Sequence, residues 1–241
     1  MKVFAIIPAA GLGTRMIPAA GSKAKKPAAS KQFTELGGIP ILMHTLQRFV
    51  DAPEVSEIYV ALRENEIPSF RSQLYEAKLK KKVELVVGGE HRQNSVANAL
   101  AKIAAAEDDI VLVHDAVRPF VTPNIIEDVI AAAKKFGAAI AGLPSVDTVK
   151  QVERTAEGAL IRTTLPRERV VMAQTPQGFR YDLLKKAFDE AAADGFMGTD
   201  EASLIERSGK EVMVVMGSAR NIKITTPADL ELAEFYLRTG S

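Results

Sequence analysis

The chain has 241 residues, 47% hydrophobic and 25% charged, the balance of an ordinary folded protein with material for a substantial core. Its 31 basic and 30 acidic side chains leave a formal charge of +1, so no long-range field draws it to nucleic acid or to an anionic membrane. Zero cysteines exclude disulfides, thiolate catalysis and cysteine-based zinc sites; the apolar run Val3 to Ile7, broken by Pro8, is too short for a signal or a membrane span, and the expected compartment is the cytoplasm.

That run is the first predicted strand, and it leads into a glycine-rich loop, Pro8-Ala9-Ala10-Gly11-Leu12-Gly13-Thr14-Arg15-Met16. From Gly11 to Lys31 the chain carries five cations (Arg15, Lys23, Lys25, Lys26, Lys31) and no acid. Glycines let backbone N–H groups approach phosphate oxygens, while Arg and Lys add charge, so the segment suits a polyphosphate. An ordinary strand-to-helix turn followed by a solvated basic loop is the bland alternative. Met16 stands where the dinucleotide fingerprint needs a third glycine, and no Gly-Lys-Ser or Gly-Lys-Thr occurs, which excludes two familiar phosphate loops.

A helix is expected over Ile41 to Val50 after Pro40, a strand over Ile58 to Leu62, a helix around Ser69 to Lys80 and a strand over Val83 to Val87. Gly88-Gly89-Glu90-His91-Arg92-Gln93-Asn94-Ser95 follows; its paired glycines let a flat group lie against backbone, and Ser95 can touch a ligand or cap the helix predicted from Ser95 to Ala106. The next strand, Ile110 to His114, ends in Asp115-Ala116-Val117-Arg118-Pro119. An acid leaving a buried strand can cap a helix, pair with a cation or hold Mg2+ together with substrate phosphates; Arg118 and the glycine-rich loop at the same edge favour the metal.

A helix over Pro123 to Phe136 and a strand over Ala138 to Leu143 complete the alternation, which predicts an α/β fold: a doubly wound, mostly parallel sheet with helices on both faces and the ligand at the carboxyl ends of the strands. The rhythm then changes. Val146 to Val152 and Ala159 to Thr164, around a polar turn from Glu153 to Gly158, read as a β-hairpin arm at about 145–168. So polar a hairpin either lies on the main domain or pairs with a second copy, and the latter predicts a homodimer.

Val170 to Thr175 and Val212 to Met216 read as strands, and Tyr181 to Ala193, Glu201 to Ser208 and Pro227 to Leu237 as helices, the last announced by Thr226, Pro227 and Asp229. The whole is expected to be one domain with an arm. His44, His91 and His114 lack metal-binding spacing, and no Gly-x-Ser-x-Gly elbow occurs, which disfavours a serine hydrolase.

Seven segments carry a family resemblance: Pro8 to Met16, Lys31-Gln32, Gly88-Gly89-x-x-Arg92-x-x-Ser95-Val96, His114-Asp115-Ala116-x-Arg118-Pro119, Thr175-Pro176-Gln177, Thr199-Asp200-Glu201-Ala202 and Asn221-Ile222-Lys223-Ile224-Thr225. In order and over nearly the full length, they resemble the 2-C-methyl-D-erythritol 4-phosphate cytidylyltransferases of non-mevalonate isoprenoid biosynthesis. The resemblance implies a nucleotidyltransferase fold, a dimer with interlocking arms, and the conversion of CTP and methylerythritol phosphate to a CDP-alcohol and pyrophosphate. It assigns Arg15, Lys31 and Lys223 to catalysis on the triphosphate, Asp115 to Mg2+, and Ala9, Ala10, Gly11, Gly13, Gly89, Ser95, Ala116 and Arg118 to the nucleotide. It places Thr148, Arg167, Thr175, Thr199 and Asp200 at the polyol phosphate, with Thr148 and Arg167 reaching it from a partner's arm.

This chain departs from the family in having Ser30 before the lysine-glutamine pair, where a proline is usual, and a longer loop carrying Lys23, Lys25 and Lys26, so another loop lysine could stand in for Lys31. A ribitol 5-phosphate cytidylyltransferase and a non-catalytic nucleotide-binding protein are the alternative readings.

Overall fold

The computed structural model describes residues 1–11 and 30–240. In chain order the strands and helices are β1 (Val3–Pro8), β2 (Glu35–Leu36), β3 (Ile39–Pro40), α1 (Ile41–Asp51), β4 (Glu57–Leu62), α2 (Ile67–Ala77), β5 (Val83–Val87) and α3 (Arg92–Leu100). There follow β6 (Ile110–Val113), α4 (Pro123–Phe136), β7 (Ala138–Pro144), β8 (Val149–Thr155), β9 (Gly158–Leu165), β10 (Val171–Arg180), α5 (Tyr181–Ala193), α6 (Glu201–Arg207), β11 (Met213–Met216) and α7 (Pro227–Thr239).

A seven-stranded sheet has the order β11-β7-β10-β6-β1-β4-β5. Only β10 runs against the others, antiparallel to both β6 and β7, so the expected mostly parallel, doubly wound sheet is what forms. Its apolar strands alternate between two cores. Val3, Ala5 and Ile7 of β1 and Ile110 and Leu112 of β6 face α1, α2 and α4, with Leu46, Phe49, Phe70, Ile126 and Val129. Phe4, Ile6, Val111 and Val113 face α3, α5 and α6, with Val96, Leu184, Phe188 and Ile205. Both faces are buried, which is why these strands read as continuous hydrophobic runs.

A third, smaller core lies at the carboxyl edge. Leu36, Ile41, Val117, Phe120, Ile224 and Ala233 pack α7 and the β2–β3 turn against the loop after β6. α7 begins as the sequence announced: Thr226 Oγ1 accepts from the Asp229 N–H at 3.3 Å, and the Asp229 carboxylate accepts from the Thr226 N–H at 2.8 Å.

Several boundaries differ from the expected ones. α3 starts at Arg92, because the Asn94 side chain accepts the His91 N–H at 3.2 Å and so closes the helix entrance; Ser95 therefore lies inside the helix and does not cap it. The same helix stops at Leu100, where tighter bonds from Lys102 N to Ala99 O and Ile103 N to Leu100 O wind it off. β10 continues through Thr175-Pro176-Gln177 to Arg180, its register breaking between Ala173 and Gln177, so these polar residues interrupt a strand and do not follow one.

The hairpin arm is the separate antiparallel pair β8–β9, with a turn of two residues between Thr155 and Gly158. Glu153, Arg154 and Thr155 belong to the strand, not the turn, because the ladder satisfies their backbone while Glu153 pairs across it with Arg162. Among the described residues no helix is long and apolar enough to cross a membrane.

Candidate active site

The carboxyl ends of β1, β5 and β6 open onto a cavity of about 190 Å³ whose walls include Ala9, Ala10, Gly11, Lys31, Gln32, Gly89, Arg92, Ser95, Asp115, Ala116 and Lys223. Its backbone walls are drawn together by two bonds to β4, Ala9 N to Ala61 O and Gly88 N to Leu62 O, each 2.7 Å. The β1 and β5 exits then lie so close that a β-carbon on Gly88 would strike the Ala10 methyl and the Ser95 hydroxyl, and one on Gly89 would strike Asn94. Ser95 Oγ accepts from Gly89 N at 3.1 Å and lies 3.1 Å from His91 O, so it braces this turn from inside α3.

Asp115 lies at the centre, 7% exposed. Arg92 Nε donates to its Oδ1 at 3.2 Å; Arg118 Nε at 3.3 Å and Lys223 Nζ at 2.9 Å share Oδ2. Burial alone would raise the carboxyl's pKa, but Arg92, Lys223 and Arg118 together hold it well below the usual carboxylate range. Asp115 is an anion in a predominantly cationic neighbourhood.

Each of those cations is held by a second contact, its own or its neighbours'. Arg92 is the first residue of α3, and its Nη1 also reaches both oxygens of the buried Glu201, at 2.7 and 2.8 Å. Burial opposes the charge on Arg92, and Glu201 and Asp115 more than restore it, raising its pKa above the ordinary arginine value. For Glu201 burial pushes the carboxyl up against the pull of Arg92. Arg118 Nη1 donates to Asn221 O at 2.6 Å. Lys223 is presented between two anchors: fully buried Asn221, whose Nδ2 donates to Thr175 O at 2.8 Å, and fully buried Ile224, whose N–H donates to Val117 O at 3.0 Å.

Behind Asp115 the hydrogen bonds form one directed chain. His114 is fully buried against the Phe49 ring, and its Nε2 lies 3.1 Å from Arg118 O, a pure acceptor, so Nε2 carries the proton. Nδ1 is then an acceptor, the Thr175 hydroxyl donates to it at 3.1 Å, and Thr175 Oγ1 accepts the Asp115 N–H at 3.0 Å. Burial pushes the imidazole pKa down to about 4, so the ring is neutral at physiological pH.

The expected site residues divide into groups. Ala9, Ala10, Gly11, Lys31, Gly89, Ser95, Asp115, Ala116 and Lys223 line the cavity. Arg118 and Thr175 do not: they are buried behind Asp115 and hold it in place. Asp200 caps α6, accepting Ser203 N at 3.0 Å, while Gln177 Nε2 donates to its other oxygen at 2.7 Å. Thr148 and Arg167 flank the arm, where Arg167 Nη1 donates to Val146 O at 3.2 Å. Gly13, Arg15, Lys23, Lys25 and Lys26 lie outside the described residues. Sequence reasoning assigned no role to Arg92, Gln32 or Glu201. The Gly-Gly-x-x-Arg spacing was the available signal for the first; Gln32 Nε2 ties its turn to Ala9 O at 2.5 Å, and Glu201 gave none beyond its place beside Asp200.

A larger cavity of about 420 Å³ between α3 and α5 is mainly apolar, and its charged lining residues, Lys185 and Asp189, neutralise each other at 2.8 Å. It offers a phosphate nothing.

A doubly wound sheet whose carboxyl edge joins glycine-spaced backbone to a carboxylate ringed by cations defines a nucleotidyltransferase. The solved structures agree: the chain superposes on a 4-diphosphocytidyl-2C-methyl-D-erythritol synthase from Anaerococcus prevotii with a TM-score of 0.81 at 30% identity, covering 98% of both chains. The 2-C-methyl-D-erythritol 4-phosphate cytidylyltransferase of Thermus thermophilus gives 0.77 at 35% identity, covering 99% of this chain and 100% of that one. The chain belongs to the 2-C-methyl-D-erythritol 4-phosphate cytidylyltransferase family, whose model matches residues 3–239. The relative of that name from Acidobacterium capsulatum is 59% identical over 100% of this chain and 99% of its own.

Proposed function

We propose that this cleft transfers the cytidylyl group of CTP to the phosphate of 2-C-methyl-D-erythritol 4-phosphate. A phosphate oxygen of the acceptor bonds to the α-phosphorus while the bond from that phosphorus to the bridging α–β oxygen breaks, and pyrophosphate leaves with the electron pair. The products are 4-diphosphocytidyl-2-C-methyl-D-erythritol and pyrophosphate, within isoprenoid biosynthesis. The observation that carries this reading is Asp115 held among Arg92, Arg118 and Lys223 at the wall of the glycine-lined cavity.

The nucleophile needs no general base, because a phosphate monoester with a second pKa of about 6 is already largely dianionic near pH 7. The barrier is electrostatic: two unit charges ~4 Å apart repel by about 4 kcal/mol at an effective dielectric of 20, and several such pairs meet here. Cations placed where charge develops, with both reactants held in line, are the main devices for lowering it. Lys223 is assigned to the α-phosphate, and Arg15 and Lys31 to the triphosphate. Ala9, Ala10, Gly89, Ser95 and Ala116 would frame cytosine and ribose, Gly11 and Gly13 would let backbone N–H groups approach the phosphates, and Arg118 and Thr175 would support Asp115 from behind.

Among the described residues no group of three or more acidic or histidine side chains gathers to enclose a metal. A lone carboxylate does fit Mg2+ held mainly by triphosphate oxygens and water, and Asp115 would hold it where its Lys223 contact now faces the cavity. When bound, the ion would offset charge on the triphosphate.

We assign Thr199 and Asp200 to the polyol phosphate, joined by Thr148 and Arg167 from a second subunit's arm. The arm's exposed Val152, Leu160 and Ile161 support pairing with another copy of the chain. A cysteine-free chain suits the cytoplasm, which we take as the compartment. The test is pyrophosphate release from CTP and Mg2+ with methylerythritol 4-phosphate or ribitol 5-phosphate supplied separately. Release with the first alone is expected. Preference for ribitol phosphate, or CTP binding without release from either, would overturn the assignment.

A further inference from the structure

We propose that Glu201 is a positioning residue that joins the two halves of the cleft, holding Arg92, and through it the Asp115 carboxylate, in fixed relation to the turn that carries Asp200. The inference rests on the reading above, with nucleotide at Asp115 and acceptor at Asp200.

Glu201 is 1% exposed, at the first position of α6. A carboxylate so buried is unfavourable there unless a cation and hydrogen bonds compensate it, and an apolar residue would pack the same space without that demand. Anchoring α6 does not require it. Asp200 already caps the helix, and Gln177, which faces Val113 across the sheet, holds the first turn twice: Nε2 donates to Asp200 Oδ2 at 2.7 Å, and Oε1 accepts Ala202 N at 3.1 Å.

What Glu201 adds is a grip on Arg92. Both of its oxygens accept from Arg92 Nη1, while Nε of the same guanidinium donates to Asp115 Oδ1. One planar group thus spans two carboxylates, and its rigid fork fixes their separation. Arg92 opens α3 immediately after cavity-lining Gly89, Glu90 and His91, so a shift of this group moves the nucleotide wall and Asp115 together.

The experiment compares wild type, Glu201→Gln, Arg92→Lys and the double variant. Calorimetry gives CTP affinity, steady-state pyrophosphate release gives kcat and both KM values, and a thermal melt checks folding. Glu201→Gln keeps the shape and weakens the grip. The expected result is a loss of about 10- to 100-fold in kcat/KM for both substrates, the range typical of residues that orient a site's direct contacts, with weakened CTP binding and a cooperative melt. The double variant should be no worse than Arg92→Lys alone, because both changes break one connection. A lowered melting temperature with both KM values, kcat and CTP affinity unchanged would reduce Glu201 to a structural counter-ion, and additive losses would break the route through Arg92. Should Glu201→Gln fail to fold, Arg92→Lys, partly exposed at the cleft, decides by the same constants. Calorimetry needs no turnover, so wild type that binds CTP but uses no polyol phosphate defeats the acceptor assignment and leaves CTP affinity to judge Glu201.

Discussion

Lys223 Nζ lies 2.9 Å from Asp115 Oδ2, and its side chain is 38% exposed where those of Arg92 and Arg118 are 29% and 10% exposed. Of these three cations it is the one placed to leave the carboxylate for a phosphate, while Asn221 and Ile224 fix its backbone from either side. Lys223→Ala should therefore lower kcat by about two orders of magnitude, the scale of a lost charge stabiliser, without disturbing the fold. Near wild-type turnover together with an unchanged melt would remove Lys223 from catalysis.

Replacing Asp115 should act on both stability and activity. Asp115→Asn leaves one acceptor oxygen where two now serve Arg92, Arg118 and Lys223, and removes the negative charge those cations share. Breaking a buried pair on one side typically destabilises by roughly 3 kcal/mol, and turnover should fall beyond detection in the standard assay. Urea denaturation at neutral pH measures the first effect; an Asn variant as stable as wild type would show that the cations need no counter-charge.

His114 sets a pH dependence. Its folded-state pKa is pushed to about 4, below the ordinary histidine value of 6.5, so the unfolded chain takes up the proton first as pH falls. The stabilisation is whole above about pH 6.5, declines as pH drops toward 4 and is exhausted below it, a total of about 3 kcal/mol. Asp115, whose pKa is also depressed, acts with the same sign at still lower pH: its contribution is present above the unfolded carboxyl value and is lost in stronger acid. Denaturant midpoints at pH 7 and 4.5 should differ in wild type and differ less in His114→Asn. Equal differences in the two proteins would count against this assignment.

Gly88 is held between Ala10 and Ser95, with no room for a β-carbon. Gly88→Ala should destabilise by about 1–3 kcal/mol, as overpacking generally does, and weaken CTP binding by moving the two cavity walls apart. Calorimetric CTP affinity equal to wild type would show that this spacing does not govern nucleotide recognition.

The arm offers a test of subunit pairing. Ile161 is 58% exposed on β9, on a hairpin that is a sheet of its own. Ile161→Asp should shift sedimentation toward monomer and raise the KM for polyol phosphate while leaving CTP affinity in place. A variant that remains dimeric with both constants intact would place the subunit contact elsewhere.

Much of this molecule is legible from local pattern. Strands β1 and β6 announce themselves because burial on both faces leaves no polar position, and α4 and α7 because Thr-Pro pairs open them. Phosphate chemistry is equally visible, since Gly11, Gly89, Lys31 and Asp115 lie in short motifs whose residue types are unusual together. Composition puts the start of α3 at Ser95, a common cap, whereas Asn94 closes the entrance, and propensity alone does not say which of two neighbouring polar residues faces the first turn.

The sequence by itself determined the element order, the edge of the sheet where the glycine-rich motifs end and, of the charged groups gathered there, Asp115, Arg118 and Lys223, because strand periodicity and motif chemistry are encoded within a few consecutive positions. Only the tertiary structure decided that Arg118 and Thr175 stand behind Asp115, that Arg92 spans Asp115 and Glu201, and that Lys223 is the more exposed cation. Those facts depend on which distant segments meet: Arg92 with Glu201, His114 with Thr175, and Arg118 with Asn221. Such meetings arise from sheet topology and burial, which make an unpaired charge intolerable in one place and leave it free to act in another.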